Sequence, residues 1–489
     1  MNVPNLFDIV IAGGTVIDGM RTPRYDADVG VIGDRIAAIG NLTTAPRRLT
    51  LDARDRIVAP GFIDVHTHDD QAVLHEPEMP AKVSQGVTTV VTGNCGVSAA
   101  PLPARAELPM PLSLLAEAGL RFGTFADYMA RLRASPSSVN VVPLVGHSSL
   151  RACAMARLDR AAEPEEIDRM RQMLDEALEQ GAFGLSTGLA YPTASAAPTA
   201  EVIAVGRALR EHGALYVSHM RNESDRVEEA LEETFEIGRA LGVTVLISHH
   251  KIGNPRNFGG SARTLPMIAA AMKRQGICLD CYPYDAGSTM ISTDPDMLDG
   301  RVLIVTSEPY PEHAGRDLDD IALQWRVGKQ EAARRLQPGS AIYFLLSEDD
   351  VRNIMRFPDT MIGSDGLPGT DKPHPRLWGT FPRVLGHYCR DLGLFPLETA
   401  VHKMTGLTAT NLGLTNRGAV IEGYAADLVV FDHVTVGDLA DYRAPKRASA
   451  GIDHVLTNGS VTWTGGSHTG RRPGCILRRR EKAVAARPA

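Results

Sequence analysis

The sequence predicts an α/β protein: a (β/α)8 TIM-like barrel with a small β-sandwich domain built from both chain termini. Two observations carry this. Between about residues 61 and 413, apolar runs alternate with helical stretches, the mark of βαβ units around a parallel sheet. Eight such runs can be counted, and the side chains best suited to chemistry collect at their C-terminal ends, where barrel enzymes build active sites.

Taken in order, the first 60 residues read as short strands with turn signals, in DIVIAGGTVID, ADVGVIGDRIAAIG and RIVAPG. The same texture returns in RGAVIEGYAADLVVFD and IDHVLTNGSVTWTGG, so residues 1–60 and 414–489 are expected to share one small β domain, with the barrel of residues 61–413 inserted between them. The eight expected barrel strands are FIDVH ending at His66, TTVVTGNC at Cys95, VNVVPLVGH at His147, AFGLST at Thr187, LYVSH at His219, VTVLISH at His249, ICLDCYPY at Tyr284 and MIGSD at Asp365. Between them, PEEIDRMRQMLDEALEQG has apolar residues at helical spacing and stops at Gly181, and DRVEEALEETFEIGRALG stops at Gly242. Residues 286–350 exceed a normal βα loop and hold their own helical pattern, DDIALQWRVGKQEAARRL, which predicts a lid-like insertion above the pocket.

A length of 489 residues suits one large barrel with an accessory domain, and 44% hydrophobic with 22% charged residues is ordinary globular composition. The net charge of −7 recruits neither nucleic acid nor an acidic membrane surface. No run of 18 or more apolar residues and no signal-peptide pattern occurs, so the expectation is a soluble, cytoplasmic protein acting on a small molecule, its oligomeric state left open. The six cysteines lack the dense spacing of a disulfide scaffold and are expected to be reduced. Cys278 and Cys281 resemble a CxxC pair, but alternation in a strand puts their sulfurs on opposite faces.

His66 and His68 lie two apart in FIDVHTH, so a strand continuing through them aims both imidazoles at one side. Cys95, followed by Gly96, would expose a thiol at the barrel mouth. With His219 and His249 it makes a set of soft and borderline ligands suited to Zn2+, its thiolate supplying negative charge for a dication. Of the adjacent His249 and His250 only one can face inward, and the strand end favours His249; His147 stays open between pocket and packing. Asp365 closes the eighth strand, where a carboxylate facing an activated water can take its proton and pass it to a departing nitrogen.

Together GFIDVHTHDD (61–70), GVTTVVTGNCGVS (86–98), GLSTGLAY (184–191), SHMRNE (218–223), ISHHKIG (247–253), YPYDAGST (282–289), IGSDG (362–366), HPRLWGTFPRVLG (374–386) and AADLVVFD (425–432) resemble the D-aminoacylase (N-acyl-D-amino-acid deacylase) branch of the amidohydrolase superfamily over nearly the whole chain. The HxH element marks the superfamily; NCG, SHMRNE and SHHK together mark the branch. The resemblance implies one essential zinc on Cys95, His219 and His249, with a second, weaker metal position at His66 and His68. It implies Asp365 as general base and acid, and Lys251, Tyr191, Tyr282, Ser288 and Arg376 as the residues holding the substrate's carboxylate and neighbouring groups. A carboxylate needs a cation and donors, which these residue types supply.

The expected reaction is hydrolysis of the amide of an N-acyl-D-amino acid. The stretch after Ser288, TMISTDPDML, has no cation before Arg301, which disfavours acidic side chains; Met290 and Ile291 suit apolar ones, and Asp294 leaves room for a basic one. Cyclic amide hydrolysis, as in hydantoinase or dihydroorotase relatives, is the alternative reaction. The fourth strand, AFGLSTG, lacks the lysine that many related barrels carboxylate to bridge two metals, which argues against it. A non-catalytic barrel scaffold is the remaining alternative, and it is disfavoured because every expected ligand is present.

Overall fold

A computed structural model describes residues 6–103, 107–115 and 120–479. The fold is α/β. Near the chain's start, strands Phe7–Val16, Tyr25–Ile32, Arg35–Gly40, Arg47–Asp52 and Ile57–Pro60 join Leu428–Phe431, Ile452–Thr457, Ser460–Thr464 and Ser467–His468 in one nine-stranded sheet. The two ends of the chain meet where Ile57–Pro60 pairs antiparallel with Leu428–Phe431. β-Branched residues at alternate positions give these strands a continuous apolar face, and Ile9, Ile11, Val29, Val31, Val58, Leu428 and Val430 bury it in a common core.

Parallel strands make up the centre of the chain. One run is ordered Thr360–Ile362, Ile277–Cys281, Val245–Ile247, Leu215–His219, Gly184–Gly188, Val145–Gly146, and another Phe62–Asp64, Val87–Thr92, Asn140–Pro143. Only Leu144 separates the two runs in the chain. At the opposite edges the Asp365 N–H donates to the His66 carbonyl at 2.8 Å, and Thr67 bridges Gly366 in parallel.

Several strands end earlier than the sequence suggests. The seventh stops at Cys281 rather than Tyr284, and the third at Gly146, after which His147 opens the helix His147–Ala154. His147 faces packing, with Nε2 3.3 Å from Glu201. Cys278 and Cys281 do part company, as alternation requires: Cys278 joins the core with Ile63 and Leu246, and Cys281 a separate one with Ile277 and Leu279. The helix Pro164–Glu179 starts with a capping box between Glu163 and Glu166, and Val227–Leu241 ends on Gly242 at φ 65°.

The stretch after Tyr284 builds a small layer of its own, with antiparallel strands Gly287–Met290, Arg301–Ser307 and Gly339–Phe344. The single helical pattern expected there is two helices, Leu318–Trp325 and Lys329–Leu336, because Arg326 takes a left-handed conformation (φ 56°) and breaks the run. No helix among the described residues is long and apolar enough to cross a membrane. All six cysteines are free.

Behind the fourth strand, Glu201 accepts from Arg151 and from the Ala162 N–H at 2.8 Å. Burial pushes this carboxyl up, but His147, Arg151 and the Ala162 N–H outweigh it and hold it at about 2 against an ordinary 4.5. A depressed carboxyl stabilises the fold fully above its unfolded value and loses that contribution as pH falls toward its folded value. Glu201→Gln is therefore expected to lower the melting temperature at pH 7 and to flatten its decline between about pH 4.5 and 2, read by thermal melts across that range.

Candidate functional site

Among the described residues, two groups of metal-ligating atoms converge, each with all its ligand atoms within 4.8 Å of one another. One is His66, His68, Cys95 and Asp365; the other is Cys95, His219 and His249. Cys95 belongs to both. Its sulfur is 3.2 Å from His66 Nε2 and 3.4 Å from His249 Nε2, and Asp365 Oδ1 lies 3.1 Å from His68 Nε2 and 3.6 Å from His66 Nε2. The His219 and His249 rings cross edge to face at 4.6 Å.

Backbone geometry aims these side chains. Of the five ligands and Asp365, only His219 lies within a regular strand, and the others follow strand ends by a few residues. Cys95, His249 and Asp365 all have positive φ, at 55°, 35° and 48°. Non-glycine residues so held cost about 1–3 kcal/mol each and persist only where their surroundings fix them. Here the fixings are visible. Gly96 N–H donates to Ser186 Oγ at 3.0 Å, His249 N–H to Asp280 Oδ1 at 2.9 Å, and Ser364 N–H to Asp64 Oδ1 at 2.8 Å. A Cβ on Gly188 would stand 2.2 Å from the Cys95 carbonyl oxygen, so a bare fourth-strand end is what lets the cysteine turn approach.

The electrostatics follow from burial of paired charge. Burial alone would raise the Cys95 thiol, but His66 and His249 beside it outweigh that and hold it well below the usual thiol range. Asp365, also buried, is held well below the usual carboxylate range, chiefly by Arg376, whose Nη2 is 2.9 Å away. A thiolate ringed by imidazoles, opposite an ionised carboxylate, is a donor set that suits a borderline dication such as zinc. His250 turns away to meet Thr264 at 2.9 Å, and burial lowers its ring to about 4.

His68, Cys95, His219, His249 and Asp365 line an open cavity of about 1210 Å³ together with Tyr191, Lys251, Tyr282 and Ser288. Met290, Ile291 and Asp294 also reach it, Asp294 using one oxygen to accept the Asp296 N–H at 3.0 Å. Tyr191 packs against His219, ring centres 4.8 Å apart. Lys251 Nζ lies 2.7 Å from Glu223 and 2.7 Å from His249 Nδ1, and Arg376 lies behind the cavity wall, over the Tyr282 ring at 4.6 Å, donating to the Ser288 carbonyl at 3.2 Å. Each of these cations thus has a carboxylate partner inside the protein.

Two site residues escape a reading of the sequence. Glu223 reaches His249 Nδ1 at 2.9 Å as well as Lys251, and Asp280 stands 3.5 Å from His66 Nδ1. Both buttress imidazoles from the side away from the shared sulfur, the usual arrangement behind metal-ligating histidines. Their signals are slight: a carboxylate four residues after His219, and one charge inside the apolar strand Ile277–Cys281.

The model of the amidohydrolase family matches residues 49–262 and 223–463. A D-aminoacylase from Alcaligenes xylosoxydans xylosoxydans is 55% identical over 97% of this chain and 98% of its own length. The chain belongs to the D-aminoacylase family of amidohydrolases. Among solved members of that family, a D-aminoacylase crystal structure matches with a TM-score of 0.95 at 55% identity, covering 97% of this chain and 100% of that one. The N-acyl-D-glutamate deacylase of Bordetella bronchiseptica, solved with zinc and a phosphonate inhibitor that mimics the tetrahedral intermediate, matches with a TM-score of 0.93 at 46% identity over 96% of this chain and 99% of that one.

Proposed function

We propose that this protein is a zinc-dependent N-acyl-D-amino-acid deacylase, hydrolysing the amide to a carboxylate and a free D-amino acid. The observation that carries the reading is the Cys95 sulfur shared by two ligand groups, with the Asp365 carboxylate facing them across one cavity. In this reading residues 61–413 form a closed (β/α)8 barrel, residues 1–60 and 414–489 a small β-sandwich, and residues 286–350 a lid-like insertion. Support comes from the succession of parallel pairings, from the Asp365–His66 backbone bond that joins the last to the first, and from the core shared by strands of both chain ends.

Cys95, His219 and His249 would hold the essential zinc, and His66 and His68 a second, weaker position. Zinc, when bound, polarises the amide carbonyl and lowers the pKa of water toward about 7. Asp365, kept ionised by Arg376, takes a proton from the attacking water and delivers it to the leaving nitrogen. Glu223 and Asp280 fix the ring orientations of His249 and His66. Lys251, Tyr191, Tyr282, Ser288 and Arg376 are assigned to the substrate's carboxylate end, which requires Lys251 and Arg376 to share their charge with Glu223 and Asp365. Met290 and Ile291 on the wall favour neutral, apolar side chains over acidic ones. Six free cysteines fit a reducing cytoplasm.

A screen of N-acetyl-D- and N-acetyl-L-amino acids with zinc added tests reaction, chirality and side-chain preference together. Turnover confined to D-substrates and strongest with leucine- or methionine-like side chains is the expected result. No turnover of any D-substrate would overturn the reading.

A further inference from the structure

Lys82 is fully buried, on the short helix Pro80–Val83, and its ammonium meets only protein partners. Nζ lies 2.8 Å from Asp64 Oδ2, 3.0 Å from Ser364 Oγ and 3.2 Å from Asp69 Oδ2. These partners belong to three different segments: the first parallel strand, the turn after His68, and the turn after the eighth strand. The other Asp64 oxygen accepts the Ser364 N–H at 2.8 Å and the His66 N–H at 3.4 Å. Ser364 Oγ in turn accepts the Gly366 N–H at 3.1 Å. Asp365 sits between Ser364 and Gly366 in its left-handed conformation, and both neighbours are tied into this cluster.

We infer that Lys82 is a positioning residue, which through Asp64, Asp69 and Ser364 locks the first and eighth strand ends together and so sets Asp365 opposite His66 and His68. Two features make this more than structural filling. A buried ammonium between two carboxylates is costly to assemble, and an apolar residue of its size would fill the space more cheaply. The cluster also touches no reacting group, yet it includes Ser364, one covalent step from the strained Asp365, and reaches Gly366 and His66 through their backbone N–H groups. The cluster leaves the second ligand group untouched, since none of its contacts reaches Cys95, His219 or His249. Loss of the lock should therefore disturb one metal position and spare the other.

This inference rests on the metal reading above, and the test separates the two. The probe is cobalt(II) titrated into the metal-stripped protein and followed by its visible absorption and by equilibrium dialysis. The variants are Ser364→Ala, and Lys82→Met combined with Asp64→Asn so that the ammonium and its nearest carboxylate are removed together. In both, the first equivalent, with its thiolate signature, is expected to bind as in the parent. The second is expected to weaken by about 10- to 100-fold, with the near-ultraviolet circular dichroism unchanged. Equal binding of both equivalents in a folded variant, or parallel loss of both, would overturn the positioning role. A parent protein that binds no cobalt would instead sink the metal reading itself. If the double variant does not fold, Ser364→Ala, which deletes one hydroxyl, still decides the matter.

Discussion

Cys95→Ala is expected to strip the protein of metal and to lower turnover of N-acyl-D-amino acids by about 1000-fold or more, because the metal is asked to supply several kcal/mol of transition-state stabilisation. The size of the effect follows from sharing. Cys95 is the one residue common to both ligand groups and the sole sulfur in either, so its removal takes the thiolate from both at once and leaves Asp365 as the one anion among these ligands. What stays behind, His219 and His249 in one group and His66, His68 and Asp365 in the other, lacks the shared sulfur that joins them. Alanine fits where the cysteine stood and leaves the backbone turn, anchored by Gly96 on Ser186, intact. Elemental analysis of the purified variant is the check, and a zinc content equal to the parent's would defeat the assignment.

Asp365→Asn is expected to separate binding from chemistry. Asparagine keeps the shape beside Arg376 but carries no proton between water and nitrogen, so kcat should fall by about 10²- to 10⁴-fold. The zinc on Cys95, His219 and His249 should remain, since Asp365 is not in that group. The side chain is surrounded by Arg376, His66 and His68, so the neutral variant also leaves Arg376 without its carboxylate. Kinetics on the best substrate together with metal analysis give the readout. Turnover close to the parent's would remove Asp365 from the mechanism.

The parts of the site legible in the sequence are those where residue type and position in a βα unit coincide. His66, His68, Cys95, His219, His249 and Asp365 all fall at or just beyond apolar strands, and the structure brings all six to one cavity wall or directly behind it. What the sequence hides is the partner of each charge. Lys251 and Arg376 look like free cations waiting for an anion, because nothing local reveals that Glu223 lies against one and Asp365 against the other. Lys82 is hidden for the same reason, its partner Ser364 being 282 positions away. The sequence carries apolar strands past their true ends where a left-handed residue redirects the chain, as at Cys95 and Asp365, since a conformation imposed by distant hydrogen bonds leaves no local trace. The insertion's split helix has the same origin at Arg326.

The pairing of Ile57–Pro60 with Leu428–Phe431 bears on how the chain reaches its native state during synthesis. The opening strands leave the ribosome long before Leu428–Phe431 exists, so Ile57–Pro60, paired on one side with Phe7–Val16, must wait with its other edge unsatisfied while the whole central region is translated. Completion of the terminal sheet thus awaits synthesis of everything between, and until then this seam is an open strand edge of the kind that can pair wrongly.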